Sequence, residues 1–222
     1  YAGQVWPLPQ TGQMWLEHEL LSSPSSKGFF CVSTSYRQEP NAIPGRHDII
    51  FPMFEFEMPG DINDLKAMEY ELCKYLGFDK PTEKTYAEWQ KHFVMESTQE
   101  MEASHETSMF NNFGSAMITD FPEMTSPFWN MSRHEGGATS KKIDVILGGM
   151  ETIGSAERSC DVDMMRDTFH TITDGAYAKL LFELFGKERV EAELEEFLKF
   201  DFFPRVGGGI GMTRMIAALD KK

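Results

Sequence analysis

Phe203-Pro204-Arg205-Val206-Gly207-Gly208-Gly209-Ile210-Gly211-Met212-Thr213-Arg214, running on into Met215-Ile216-Ala217-Ala218-Leu219, is the stretch on which the fold of this chain turns. Four glycines in five positions leave backbone without side-chain cover, a helix-compatible run follows, and an arginine stands three residues after the last glycine. Such a segment holds phosphate or carboxylate against backbone N–H groups and a guanidinium. Two common nucleotide signatures are excluded. No Gly-Lys-Ser/Thr follows the glycines, and only eleven residues remain after Gly211, too few for a βαβ unit. The glycines must therefore close a site built upstream.

The 222 residues suffice for one domain with a core that buries roughly 70% of the unfolded surface. Apolar residues make up 41% and charged ones 25%, ordinary for a globular chain, and no apolar run approaches the ~20 residues of a membrane span. No basic-then-apolar leader opens the sequence. It begins without Met, as though cut or processed. Cys31, Cys73 and Cys160 are odd in number and in no CxxC spacing, which predicts reduced thiols in a cytoplasmic protein rather than a zinc site. The net charge of −14 repels nucleic acid except at a local basic patch, and the longest basic run is Lys141-Lys142. The acids between Glu183 and Glu196 read as a solvated helix face.

Working back from the glycines, residues 161–200 carry helical stripes (Phe169, Ile172, Leu180, Leu181, Leu184, then Val190, Leu194, Phe197, Leu198), punctuated by Gly175 and Gly186. Before them, residues 142–147 predict a strand interrupted by Gly148-Gly149, followed by Met150 to Arg158. Asp144 inside that apolar strand requires a cation, and Asp144, Glu151 and Arg158 form one charged grouping. Residues 116–121 predict a strand stopped by Pro122, residues 86–95 a helix, and residues 101–110 either state. His92, His105 and His134 have no metal-ligand spacing.

The N-terminal third is clearer. Pro7 and Pro9 keep residues 1–10 out of a helix, Thr11 offers a cap for a helix carrying Met14, Leu16, Leu20 and Leu21, and residues 22–26 break it. Residues 29–36 and 49–58 predict a hairpin. In the second strand the period of two puts Glu55 and Glu57 on one face and Phe54 and Phe56 on the other. Arg37, Glu39, Arg46 and His47 gather at its loop. Asp61 or Asn63 caps a covering helix with Leu65, Met68, Leu72 and Leu76, which Gly77 ends.

Arginines for phosphate oxygens, with two carboxylates able to hold magnesium, are what an ATP site needs when it lacks a Walker loop. Ser35-Tyr36-Arg37-Gln38-Glu39 with Gly45-Arg46-His47 and Phe51 resembles motif 2 of the class II aminoacyl-tRNA synthetases, in the aspartate/asparagine branch that includes the related asparagine synthetases. Gly209-Ile210-Gly211-Met212-Thr213-Arg214 resembles their motif 3. Thr11-Gly12-Gln13 with Glu17 is similar to the family's Ser-Gly-Gln stretch, and residues 51–57 to its Glu-x-Glu strand. Asp120-Phe121-Pro122 with Phe128-Trp129, and the spacing of Asp144, Glu151 and Arg158, extend the similarity along nearly the whole chain.

The resemblance implies an α/β (α+β) fold, an antiparallel sheet flanked by helices in a single domain over residues 1–222, with ATP and Mg2+ as cofactors. Arg37 would hold the α-phosphate and the attacking carboxylate. Glu39 would meet the adenine amino group, Phe51 and Arg214 would sandwich the base, and Gly209 and Gly211 would give it room. Arg46 and His47 would steady the terminal phosphates, Asp144 and Glu151 would bind the metal, Gln13 and Glu55 would take the amino group, and Arg158 would select the amino-acid side chain. The family's motif 1, which carries its homodimer contacts, would precede residue 1, and no anticodon-binding domain is recognised. Leu16 stands where aspartyl enzymes place a lysine. The glycine pattern is more similar to ammonia-dependent asparagine synthetase. The expectation is thus an aminoacyl-adenylate-forming ligase acting on aspartate and ammonia, with tRNA a less favoured partner. The alternatives are the catalytic core of an asparaginyl- or aspartyl-tRNA synthetase, and an inactive paralogue that senses or binds.

Overall fold

The computed structural model describes residues 8–38 and 42–222. In chain order the elements are α1 (Gln13–Ser22), β1 (Phe29–Tyr36), β2 (Ile50–Pro59), α2 (Ile62–Tyr75), β3 (Thr82–Thr85), α3 (Tyr86–His92), α4 (Ala103–Phe113), β4 (Ala116–Pro122), β5 (Thr139–Leu147), β6 (Met150–Glu157), α5 (Val162–Thr171), α6 (Ala176–Phe185), α7 (Lys187–Phe197), β7 (Arg205–Gly211) and α8 (Met212–Asp220). The strands form one seven-stranded sheet in the order β1-β2-β7-β6-β5-β4-β3. Every pairing is antiparallel except that of β3 with β4. Parallel neighbours need a crossover rather than a tight turn, and α3 with α4 supplies it. The sheet is therefore mixed, a departure from the antiparallel expectation at one edge.

Both hairpins have local causes. The β5–β6 turn falls on Gly148 and Gly149, both at positive φ (60° and 84°), which suits a two-residue hairpin loop. The β1–β2 pair runs in register from Phe29↔Glu57 to Tyr36↔Ile50. Asp61 caps α2 as expected, its Oδ1 accepting the Asn63 and Asp64 N–H groups at 2.7 and 3.1 Å. Thr11 does not serve as the N-cap of α1. Gly12 holds that position, while Thr11 Oγ1 accepts the Gln13 N–H and donates to Glu55.

The alternation along β2 fixes which face is wet. Phe56 packs under the sheet with Leu65 and Cys73 of α2, Ile143 and Val145 of β5, Ile153 of β6, Val206 and Ile210 of β7, and Met215 and Ala218 of α8. The opposite face is covered at the β4 end by α3 and α4, through Tyr86, Trp89 and Met109 on Ala116, Ile118, Phe121 and Ile146. A separate cluster, Trp129 with Met165, Phe169 and residues of α6 and α7, supports the far end. Between these supports the β2–β7–β6 surface stays open as a trough.

Candidate functional site

The floor of the trough follows from strand register. Glu55 on β2 lies opposite Gly209 on β7, which lies opposite Gly154 on β6, which lies opposite Asp144 on β5. Directly opposed residues share a face, so one row crosses the sheet as carboxylate, glycine, glycine, carboxylate. The next row reads Glu57, Gly207, Ala156, Lys142. In the first row side-chain-free backbone lies between two acidic walls, a channel about two strands wide.

Not all the terminal glycines clear space for a ligand. A Cβ on Gly208 would lie 2.5 Å from Ser155 Cβ, on the packed underside. At Gly207 it would lie 2.2 Å from the Glu57 carboxyl carbon, because the Glu57 side chain already fills that gap. Gly209 and Gly211 do line the trough. The run is a strand paired on both sides, not an open anion cradle.

At one end the walls are Arg37, Arg46, His47, Phe51, Glu151, Thr213 and Arg214. The Arg37 guanidinium lies 5.4 Å from the Phe51 ring centroid. Arg214 donates from Nη1 to the Glu151 carbonyl at 2.8 Å and from Nη2 to the Arg46 carbonyl at 3.3 Å. Arg46 donates to the Gly149 carbonyl at 3.0 Å and pairs with Glu106 of α4. Glu106 also accepts the Glu151 N–H at 2.9 Å, so one carboxylate ties α4, the Arg46 loop and β6 together. Burial pushes the Glu106 carboxyl up, against the pull of that N–H and of Arg46. His47 sits on the loop, with Nδ1 accepting the Ile43 N–H at 3.3 Å. Glu39 lies outside the described residues.

The other end is lined by Thr11, Gln13, Glu55, Asn130, Lys142 and Arg158. Glu55 is 1% exposed and receives the Thr11 hydroxyl, the Gly12 N–H at 2.8 Å and the Ser33 hydroxyl at 2.8 Å. Gln13 Nε2 donates to the Phe56 carbonyl and to Glu57 Oε1, both at 2.8 Å, which leaves its amide oxygen as the group facing a ligand. Arg158, grouped in sequence with Asp144 and Glu151, does not pair with them; it lines this end, where the resemblance would have it meet the amino-acid side chain. It bonds Glu57 Oε1 at 2.7 Å in a fully buried pair. Burial holds the Glu57 carboxyl above its ordinary value even against Arg158, and the Arg158 guanidinium is held up by Glu57 and Glu17 despite its own burial. Glu57 Oε2 has no partner among the described residues.

The cation that offsets Asp144 is Lys142, two residues earlier on the same face, at 2.6 Å. Burial, then Glu151, raises Asp144 to about 7, with Lys142 pulling the other way. Asp144 Oδ1 is buried and has no partner among the described residues. It lies 3.5 Å, and Glu151 Oε1 2.7 Å, from the point a Cβ on Gly154 would occupy, so the two carboxylates converge over that glycine. No cluster of three or more His, Cys, Asp or Glu side chains suited to a metal occurs among the described residues. Magnesium needs only one or two protein carboxylates when phosphates and water complete its shell, and this pair fits that demand.

Glu106 and Lys142 are site residues that the sequence did not single out, and Glu57, placed there on the acidic face of its strand, was given no role in the site. Lys142 had a local signal, since i and i+2 on a strand share a face. The other two depend on contacts across the chain.

No curated protein sequence matches the chain. Solved structures of similar fold include asparaginyl-tRNA synthetase from Pyrococcus horikoshii (TM-score 0.77, 18% identity, covering 96% of this chain and 53% of that one). Aspartyl-tRNA synthetase from Entamoeba histolytica is another (TM-score 0.75, 16% identity, 98% and 50%). At such identities the likeness shows the fold, and the chain spans about half the length of these structures. No described helix is long and apolar enough to cross a membrane. The model of the class II tRNA synthetases (D, K and N) matches residues 1–222, and the chain belongs to that family.

Proposed function

We propose that this chain is an amino-acid-activating catalytic core that joins a carboxylate to the α-phosphate of ATP, in the manner of an asparaginyl- or aspartyl-tRNA synthetase. The observation that carries it is the position of Arg37. With Met53, Glu151, Gly154 and Gly209, it lines both the arginine-rich end and the Glu55/Gln13 end of the trough. A guanidinium at that junction touches phosphate on one side and the amino acid's carboxylate on the other, which is where the two must meet.

In this reading adenine lies against Phe51 near Arg214, and the terminal phosphates reach Arg46 and His47. The amino group donates to Glu55 and to the Gln13 amide oxygen. The carboxylate oxygen forms a bond to the α-phosphorus as the bond to the bridging oxygen breaks, and pyrophosphate leaves with the electron pair. No proton moves, so positioning and charge stabilisation suffice. Asp144 and Glu151 would hold magnesium, which supplies charge neutralisation to the phosphates.

Asparagine suits the end wall better than aspartate. Arg158 donates from one side of its guanidinium to Glu57, and Glu57 leaves Oε2 as an acceptor over Gly207. A donor beside an acceptor in a neutral pair matches a carboxamide, whereas a second carboxylate would face Glu57. The crystallised relative from Pyrococcus horikoshii is complexed with asparaginyl-adenylate, and the solved tRNA synthetases favour a tRNA acceptor over the ammonia expected from the glycine pattern. The charge of −14 is poorly suited to gripping tRNA alone.

The test is amino-acid-dependent exchange of pyrophosphate into ATP. Asparagine should support it, aspartate at least tenfold less, and Glu57→Gln should narrow that gap. No exchange with either amino acid sinks the proposal, and exchange with aspartate alone reverses the assignment. Transfer is then scored with tRNA and with ammonia.

A further inference from the structure

We propose that Lys142 is a built-in counter-cation for the Asp144–Glu151 carboxylate pair, so that a divalent metal enters this site only together with the phosphates of the nucleotide. This rests on the trough being an ATP site, and it concerns a residue to which that activity assigns no role.

The geometry is specific. Lys142 Nζ lies 2.6 Å from Asp144 Oδ2 and 3.8 Å from the Phe121 ring centroid, at the wall of the amino-acid end. It therefore occupies one oxygen of a carboxylate whose other oxygen, Oδ1, is buried over Gly154 with no partner among the described residues, where Glu151 Oε1 also points. One oxygen of one of the two carboxylates is thus already engaged by an ammonium.

The surrounding charges balance. Asp144, Glu151 and Glu106 face Lys142, Arg214 and Arg46, each acid within 4.0 Å of its base. A free Mg2+ would add two positive charges to a neutral cluster and repel an ammonium beside the oxygen it seeks. It also gives up its water reluctantly. The triphosphate reverses this balance, because it brings negative charge and several oxygens with the ion. Phe121 gives Lys142 a second attraction nearby, so Nζ can leave Asp144 without leaving the wall. A lysine that served only to hold β5 would affect folding and leave metal affinity untouched.

The experiment is titration of nucleotide-free protein with Mn2+, followed by loss of the free-ion electron paramagnetic resonance signal. Wild type should bind Mn2+ weakly. Lys142→Met and Lys142→Gln should each bind it at least tenfold more tightly, about 1.4 kcal/mol, and Asp144→Asn added to Lys142→Met should abolish the gain. Thermal melts check that each variant is folded, and two replacements of different polarity guard against the failure of one. Mn2+ affinity within twofold of wild type in the folded variants, or weaker, overturns the counter-cation role. So does tight Mn2+ binding by nucleotide-free wild type. Calorimetry of wild type with MgATP tests the underlying site separately: absence of MgATP binding would remove the ATP assignment, whatever the Mn2+ series shows.

Discussion

Replacing Glu69 with Gln removes a titration that works against the folded state at neutral pH. Glu69 lies on α2 beneath β6, fully buried; its Oε1 accepts the Ser155 hydroxyl at 2.5 Å and its Oε2 has no partner among the described residues. Burial pushes the carboxyl from 4.5 to about 8; the Ser155 bond opposes the shift and Asp144 adds to it. The folded protein therefore keeps a proton that the unfolded chain sheds near pH 4.5. Stability from this group is fully present below that value and is lost as pH rises towards 8. The slope is about 1.4 kcal/mol per pH unit, and the whole interval amounts to at most roughly 5 kcal/mol. Glutamine carries no such charge and keeps an amide oxygen for Ser155. Urea unfolding of both proteins from about pH 5 to about pH 8.5 should show wild type losing several kcal/mol relative to Glu69→Gln, with the gap flattening above pH 8. The comparison cancels other titrating groups common to both. Parallel stability curves would mean that Glu69 is already ionised in the folded protein, and would refute the account of its burial.

Gly207→Ala should unfold or severely destabilise the protein, because its Cβ would displace the Glu57 carboxyl from the buried Arg158 pair; breaking such a pair costs about 3–5 kcal/mol, measurable by denaturation. Gly209→Ala should fold, since the nearest atom to its Cβ is the mobile Met53 Cε at 2.5 Å, but the added methyl and displaced Met53 should weaken MgATP binding about tenfold by calorimetry. Arg158→Lys should raise the amino-acid KM far more than it alters MgATP affinity, because a compact ammonium lacks the planar fork that holds Glu57 from one edge and reaches the ligand from another. Equal losses of both would place Arg158 elsewhere in the mechanism.

What could be read from the sequence depended on how locally each feature is determined. The β1–β2 hairpin was legible because Phe54, Glu55, Phe56 and Glu57 alternate with the pleat, and the fold's wet face followed from that alternation. The β5–β6 hairpin announced itself through Gly148-Gly149. β3 did not: Thr82-Glu83-Lys84-Thr85 has no apolar period, and it becomes a strand only because β4 lies alongside it in parallel. The terminal glycines were legible as part of a site but not as a strand, since their ladder comes from Glu55 on one side and Gly154 on the other.

Charged residues follow the same logic more sharply. That Asp144 needed a cation could be argued from one apolar strand, but which cation could not, because Arg158 and Lys142 both lay within reach along the chain. The sheet decides between them. The pleat of β5 places Lys142 beside Asp144 on one face, while Arg158, beyond the end of β6, reaches Glu57, 101 residues earlier in the chain. A buried acid takes the base whose geometry spares both from desolvation without a partner. Sequence shows the demand for a counter-charge and the period of two offers Lys142, while the register of strands from distant parts of the chain takes Arg158 elsewhere. The same register leaves Asp144 Oδ1 and Glu57 Oε2 without partners among the described residues, on opposite sides of one trough. Their desolvation is a standing cost to the fold, and a cation at one and an amide at the other would each relieve it.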